Sequence, residues 1–185
     1  LMILAVLSMA AGNIIAISQT NIKRMLAYST ISHIGFLLLG IASGSNSGYA
    51  SSMFYVLTYA LMSMGAFGII ILLGRKGYEA DTLDDFQGLA SRSPWFAFLM
   101  LVLMFSMAGI PPFSGFIAKL FVIMGLINQE HYVLAGYALI MSVIAAFYYI
   151  RVVKVIYFDP PINQTPVYAN KNTLLALSIN SLLIL

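Results

Sequence analysis

Residues 94–127 read PWFAFLMLVLMFSMAGIPPFSGFIAKLFVIMGLI, and the architecture turns on how often this run crosses a membrane. It holds 34 residues and one charge, Lys119. A bilayer core takes about 20 apolar residues of helix, so the run is too long for one regular span and short for two. At its centre Ala108-Gly109-Ile110-Pro111-Pro112-Phe113-Ser114-Gly115 sets two adjacent prolines between glycines. Proline removes a backbone donor and breaks a helix, and glycine tolerates the non-helical backbone beside it. Pro111 and Pro112 therefore mark a helix break, belonging either to one broken crossing or to a helical hairpin.

The flanking charges choose between the two. Apolar runs at residues 1–19, 26–41, 50–73 and 133–158, with another from 173, give five more crossings. If 94–127 crosses once, Lys23 and Arg24, then Arg75, Lys76 and Arg92, then Arg151, Lys154 and Lys171 all face one side. The opposite loops, residues 43–49 and 128–132, carry no Lys or Arg. A hairpin would scatter these eight cations over both faces, so the positive-inside tendency favours one broken crossing with the basic loops cytoplasmic or matrix-side. The runs are rich in Leu, Met and Ala, which suits helices rather than the period of two of a barrel strand. The expected fold is all-α, a polytopic membrane helical bundle of about six crossings including one broken helix.

Composition agrees. The 185 residues are 61% hydrophobic and 8% charged, with a mean hydropathy of +0.95, whereas a soluble domain carries about 25% charged residues. No Pro/Ser/Gly-rich linker divides the chain, so residues 1–185 read as a single transmembrane domain. The chain starts at Leu1 and ends inside an apolar run, which makes a fragment of a longer subunit the expectation. The first segment lacks the basic n-region and cleavage site of a signal peptide. There is no cysteine, which excludes disulfides, thiolate metal sites and Cys nucleophiles. A net charge of +3 spread over short loops argues against nucleic acid as a partner. No phosphate loop, metal-ligand spacing or Ser–His–Asp arrangement is visible, so neither a bound cofactor nor a metal is expected. In residues 75–93, Thr82-Leu83-Asp84-Asp85 resembles a capping box, and Leu83, Phe86 and Leu89 make an apolar edge, which predicts a short surface helix. Ser93 before Pro94 suits an N-cap with proline in the first turn.

Lys119 carries the most information. A charge at membrane depth costs roughly 2.5–3.5 kcal/mol on insertion scales, so such a residue faces a bundle interior or a water-filled cavity. Lysine, unlike arginine, can also shed its proton when desolvated. A proton-relay group beside a broken helix has these properties, and the alternative is a lysine snorkelling toward the non-basic face. His33 lies in mid-crossing after Tyr28, Ser29, Thr30 and Ser32; its imidazole can donate at one nitrogen and accept at the other, in a relay or in helix packing. Tyr55, Tyr59 and Ser63 stand at i, i+4 and i+8, so their oxygens line one helical stripe, either for proton passage or for packing. Lys23 reads as a topology determinant or as the basic-side edge of a proton path. Arg151 and Lys154 read as an interface anchor, and Gly65, Gly68 and the pair Gly40/Gly44 as points of close helix approach. The acidic residues all lie in loops, so a carboxylate counter-ion for Lys119 has to come from outside the chain.

Three segments carry a family resemblance. Gln19-Thr20-Asn21-Ile22-Lys23-Arg24-Met25-Leu26-Ala27-Tyr28-Ser29-Thr30-Ile31-Ser32-His33-Ile34-Gly35 closely resembles a signature of the antiporter-like subunits of respiratory complex I and of Mrp-type sodium/proton antiporters. Met107-Ala108-Gly109-Ile110-Pro111-Pro112-Phe113-Ser114-Gly115-Phe116-Ile117-Ala118-Lys119 and Phe147-Tyr148-Tyr149-Ile150-Arg151-Val152-Val153-Lys154 complete an ordered set. Two of the three sister subunits in complex I usually carry histidine in the helix matching residues 50–73. Here that helix has Tyr55, Tyr59 and Ser63, so the chain looks most like the third.

The resemblance implies the later part of a 14-helix fold with two inverted five-helix repeats. It implies that Lys119 is the terminal proton-carrying lysine and that His33 belongs to a central hydrophilic axis with Tyr59 as a relay neighbour. The implied function is proton translocation as a non-redox membrane subunit of NADH:quinone oxidoreductase, in a bacterial cell membrane or an organellar energy-converting one. The fragment itself would bind no flavin or iron–sulfur cluster, while the complex uses NADH and quinone. Its partners would be other membrane subunits and the lipid bilayer. A Mrp-type cation/proton antiporter subunit and a purely structural membrane module are the alternatives.

Overall fold

Apolar length and turn chemistry set the helix boundaries. A computed structural model describes residues 1–74, 79–162 and 167–185; Arg75 and Lys76 lie outside the described residues. Eight α-helices are found among them: α1 (Met2–Ser18), α2 (Ile22–Ala42), α3 (Asn46–Leu73), α4 (Leu89–Arg92), α5 (Pro94–Ala108), α6 (Ser114–Ile127), α7 (Tyr132–Phe158) and α8 (Lys171–Leu182). Asn21 caps α2, its side chain accepting from the Arg24 N–H at 2.9 Å, and Ser45 caps α3 through the Gly48 N–H. Helices α2, α3 and α7 are each long and apolar enough to cross a membrane. Their outward faces stay apolar, with Met53, Ile71, Val133 and Val143 exposed, as a lipid-solvated surface requires.

The break in residues 94–127 is real, and it lies within one crossing. Helix α5 has 15 residues and α6 has 14, so at a rise of about 1.5 Å per residue neither alone reaches the ~30 Å of a bilayer core. Both run antiparallel to α3 in succession. Leu103 of α5 packs against Gly65, Phe121 of α6 lies 5.7 Å ring to ring from Phe54, and Gly125 sits against Gly48. A hairpin would have brought α6 back toward Gly65. Of the basic-side cations, the described ones lie where the charge argument put them. Lys23 and Arg24 are in the first turn of α2, Arg92 just precedes α5, Arg151 and Lys154 are in the last two turns of α7, and Lys171 opens α8.

Two apolar clusters fill the bundle. The larger surrounds α5 with Met25, Ile69, Leu103, Met104, Tyr149 and Val152; the smaller holds Ala5, Met9, Phe36, Tyr55, Ala118 and Val122. Tyr59 packs against both, so their seam passes beside it. Trp95 ties α8 to α5 by donating to the Ser178 hydroxyl at 2.9 Å.

Three local expectations change. The short surface helix in residues 75–93 is two single turns, a 3-10 turn over Leu83–Phe86 and then α4. Gly88, at φ 61, separates them, and its N–H bonds the Val155 carbonyl at 3.2 Å. The segment is docked rather than superficial, since Leu83, Phe86 and Leu89 are buried and an antiparallel bridge pairs Thr82 with Asn21. Ser93 precedes α5 but does not cap it, because its hydroxyl donates to Arg92 O and accepts from the Val167 N–H. Gly40, Gly65 and Gly68 do mark close helix approach, whereas Gly44 serves the turn and has open space where a Cβ would stand.

Candidate functional site

The end of α5 leaves four carbonyls without helical partners, and each finds one. Gly109, at φ 82, turns the chain into the left-handed region, so its N–H reaches Ser106 O at 3.0 Å and the Ile110 N–H reaches Phe105 O at 3.0 Å. The carbonyls of Met107 and Ala108 remain. Lys119 Nζ donates to both at 3.0 Å, and to the Ser142 hydroxyl, also at 3.0 Å. The ammonium thus sits on the negative end of the α5 dipole, with the Phe36 ring 5.3 Å away as a further cation partner. Lys119 is only 4% exposed, and its tip turns back into the bundle, so the snorkelling arrangement does not occur. Its partners are neutral oxygens of this chain.

The start of α6 is also held by partners inside the protein. Ser114 donates its N–H and its hydroxyl to the Ile184 carbonyl at 3.0 and 2.9 Å, and the Gly115 N–H donates to the Ser106 hydroxyl at 3.1 Å. Two glycines make this junction possible. A Cβ on Gly115 would lie 1.9 Å from Ser106 O, and one on Gly109 would lie 2.9 Å from Lys119 Cδ. The Pro111–Pro112 peptide between them is cis. Irregular backbone at membrane depth is tolerated here because it is satisfied inside the protein.

His33 forms the second centre. It is 4% exposed, and both ring nitrogens are engaged: Nδ1 with Tyr55 Oη at 2.8 Å and Nε2 with Tyr149 Oη at 2.9 Å. A neutral imidazole carries one N–H, so one tyrosine accepts while the other donates, and the tautomer selects which. Tyr59 stacks on the imidazole at 4.4 Å between centroids. Its hydroxyl meets Thr30 Oγ1 at 2.6 Å; Thr30 already gives its own proton to Leu26 O, so Tyr59 is the donor. The two centres meet at Phe36, whose ring stacks on Tyr55 at 5.9 Å and faces Lys119.

Of the residues singled out in the sequence, the structure gathers Lys119, His33, Tyr55 and Tyr59, with Pro111 and Pro112 shaping the break. Ser63 lies one turn beyond Tyr59, and among the described residues no hydrogen bond joins it to the cluster. Lys23 is drawn away from it, pairing with Asp81 and with Glu79 at 3.2 Å. Three participants, two of them buried and Ser142 half-buried, were not anticipated. Tyr149 and Ser142 come from α7, and Asn13 of α1 accepts from Tyr148 Oη at 3.0 Å while donating to Met141 O. Ser142 is the only serine of α7, a lone small hydroxyl in an apolar run seven residues before Tyr149, and that spacing was the available signal. Among the described residues no group of three or more His, Asp or Glu is placed to hold a metal ion.

Comparison with known proteins identifies relatives of the chain. A family described as NADH:quinone oxidoreductase/Mrp antiporter, transmembrane, matches residues 1–145. The chain is 57% identical over 185 residues to NADH-quinone oxidoreductase subunit N of Thioalkalivibrio sulfidiphilus, covering all of this chain and 38% of that protein. In structure it resembles a chain of respiratory complex I from Thermus thermophilus, with a TM-score of 0.86 at 27% identity, over 99% of this chain and 41% of that one. It also resembles a chain of the Mrp complex from Dietzia, with a TM-score of 0.81 at 26% identity, over 94% and 32% of the two chains. The chain therefore spans about two fifths of the length of the relatives it matches.

Proposed function

The chain belongs to the NADH:quinone oxidoreductase/Mrp antiporter transmembrane family, and on that footing we propose that it forms part of a proton-translocating membrane subunit of a bacterial NADH:quinone oxidoreductase. Lys119 is the proton carrier. The observation that supports this reading is a buried lysine, held by neutral oxygens at the carbonyl end of a broken membrane helix. Such a cation has no counter-charge among the described residues, so a modest change in nearby charge can load or unload it. Moving a proton against 100 mV takes about 2.3 kcal/mol, which such changes have to supply.

His33, with Tyr55 and Tyr149 on its two nitrogens, passes a proton across its ring by exchanging tautomers. Tyr59 holds the imidazole plane by stacking. The Phe36 ring stands between this relay and Lys119, so passage between them goes around one aromatic side chain. Quinone reduction takes place elsewhere in the complex, and the partners of this subunit are its membrane neighbours and the lipid of the cell membrane. The test is Lys119→Ala in the full-length subunit within the assembled complex: proton pumping per NADH oxidised is expected to fall at least about twofold, and undiminished pumping removes the relay role.

The likeness to the Mrp chain supports a second reading, cation/proton antiport. Sodium-dependent transport by preparations free of redox subunits would favour it, and co-purification with them favours the first.

A further inference from the structure

Three oxygens accept from Lys119 Nζ, all at 3.0 Å, but they are not chemically alike. An ammonium has three N–H donors, so the carbonyls of Met107 and Ala108 and the hydroxyl of Ser142 use them all. A neutral amine keeps two N–H bonds and gains a lone pair, which needs a donor. A carbonyl oxygen can only accept, whereas a hydroxyl can accept or donate. Ser142 alone among the three can serve both forms of the lysine.

Burial singles out the same residue. Lys119, Met107 and Ala108 are buried, and the aromatic face of Phe36 covers Nζ from another direction. Ser142 is only partly buried among the described residues, so of the three partners of Nζ it is the one nearest the surface of this helix packing. It also stands two turns from Tyr149, which puts the hydroxyl partners of Lys119 and His33 on one face of α7.

Resting on the reading of Lys119 as a proton carrier, we infer that Ser142 is the gate through which the proton enters and leaves Lys119. In the leaving direction an Nζ–H bond breaks and an O–H bond forms at Ser142 Oγ, while the proton originally on Oγ passes to a water molecule on its outer side. The products are a neutral amine, a neutral serine now donating to the amine lone pair, and a hydronium, so the single positive charge is conserved. The reverse sequence reloads the lysine. The two carbonyls keep Nζ in place throughout and carry no proton.

The experiment compares Ser142→Ala, Ser142→Thr and Lys119→Ala in the full-length subunit of the assembled complex. NADH-driven acidification of closed inverted membrane vesicles is measured in H2O and D2O, and uncoupled NADH oxidation reports assembly. Ser142→Ala is expected to lower the acidification rate per NADH at least about threefold and to enlarge the solvent isotope effect, with Ser142→Thr restoring both. Wild-type behaviour of Ser142→Ala, or a Ser142→Thr as defective as Ser142→Ala, overturns the gate; if Lys119→Ala is defective in the same assay, the reading of Lys119 survives. Undiminished pumping by Lys119→Ala overturns both.

Discussion

Two cations in this molecule each close the carbonyl end of a helix, and only one of them is equipped to lose its proton. Lys119 caps α5 at membrane depth, donating to Met107 O and Ala108 O. Arg151 of α7 caps α1 at the basic-side edge, donating to Ile17 O at 3.0 Å and to Gln19 O. Both meet the same electrostatic need, since the last carbonyls of a helix are orphaned and carry the negative end of its dipole. The chemistry differs. A guanidinium remains charged under all physiological conditions, so Arg151 is a permanent fastening. The ammonium of Lys119 can become neutral, and it has a hydroxyl beside it that can follow the change. A helix end capped by arginine is structure; one capped by lysine and serine can also be a device.

The comparison can be broken first at the junction that holds Lys119. Gly115→Ala drives a Cβ into the Ser106 carbonyl, and backbone has little room to yield. It is expected to cost about 1–3 kcal/mol or more and to lower the yield of assembled complex. An unchanged thermal midpoint would show that α5 and α6 meet more loosely than described. At the other end, Arg151→Ala leaves the Ile17 and Gln19 carbonyls short of their donors, which should cost about 1–3 kcal/mol in the same thermal assay. Arg151→Lys should recover part of that loss and keep proton pumping within about twofold of wild type, because no proton transfer depends on it. Gly109→Ala is milder: a left-handed φ at a non-glycine residue costs about 1–2 kcal/mol, and the added methyl also displaces the Lys119 stem.

The smallest effect lies beside the arginine-capped end. Asp81 pairs with Lys23, whose hydrogen bond holds the carboxyl below its usual range. A carboxyl lowered in the folded state stabilises it above the unfolded value of about 4, and the contribution fades as pH falls through the folded value. The thermal midpoint difference between wild type and Asp81→Asn should therefore be constant from neutral pH down to about 5 and shrink below 4. A difference that persists undiminished at low pH would assign the contact to packing instead.

The sequence made one of these ends far more legible than the other. Apolar run lengths placed the crossings, and the one-sided cations decided that residues 94–127 cross once. Lys119 stood out because a charge in an apolar run has no inexpensive explanation. The carbonyls it caps could be inferred only once α5 was known to end at Ala108 with the Lys119 side chain reaching back to it. Arg151 looked like an interface anchor because its partners lie 134 and 132 residues away on α1. Tyr149 pairs with His33 across 116 residues for the same reason. Such contacts depend on which helix faces lie together, and in an all-round apolar helix no amphipathic pattern reveals the face. Ser63 marks the limit of reading stripes. It shares the face of Tyr55 and Tyr59 by spacing, yet the cluster ends one turn before it.

The central claim is that Lys119 works by changing its charge, not by merely supplying one. Lys119→Arg separates the two, because a guanidinium can cap α5 but cannot release its proton. Measured as protons pumped per NADH oxidised in closed vesicles containing the assembled complex, Lys119→Arg is expected to fall at least about twofold, the same outcome expected of Lys119→Ala. Pumping at the wild-type ratio in Lys119→Arg would contradict the account and leave Lys119 as a second structural cap like Arg151.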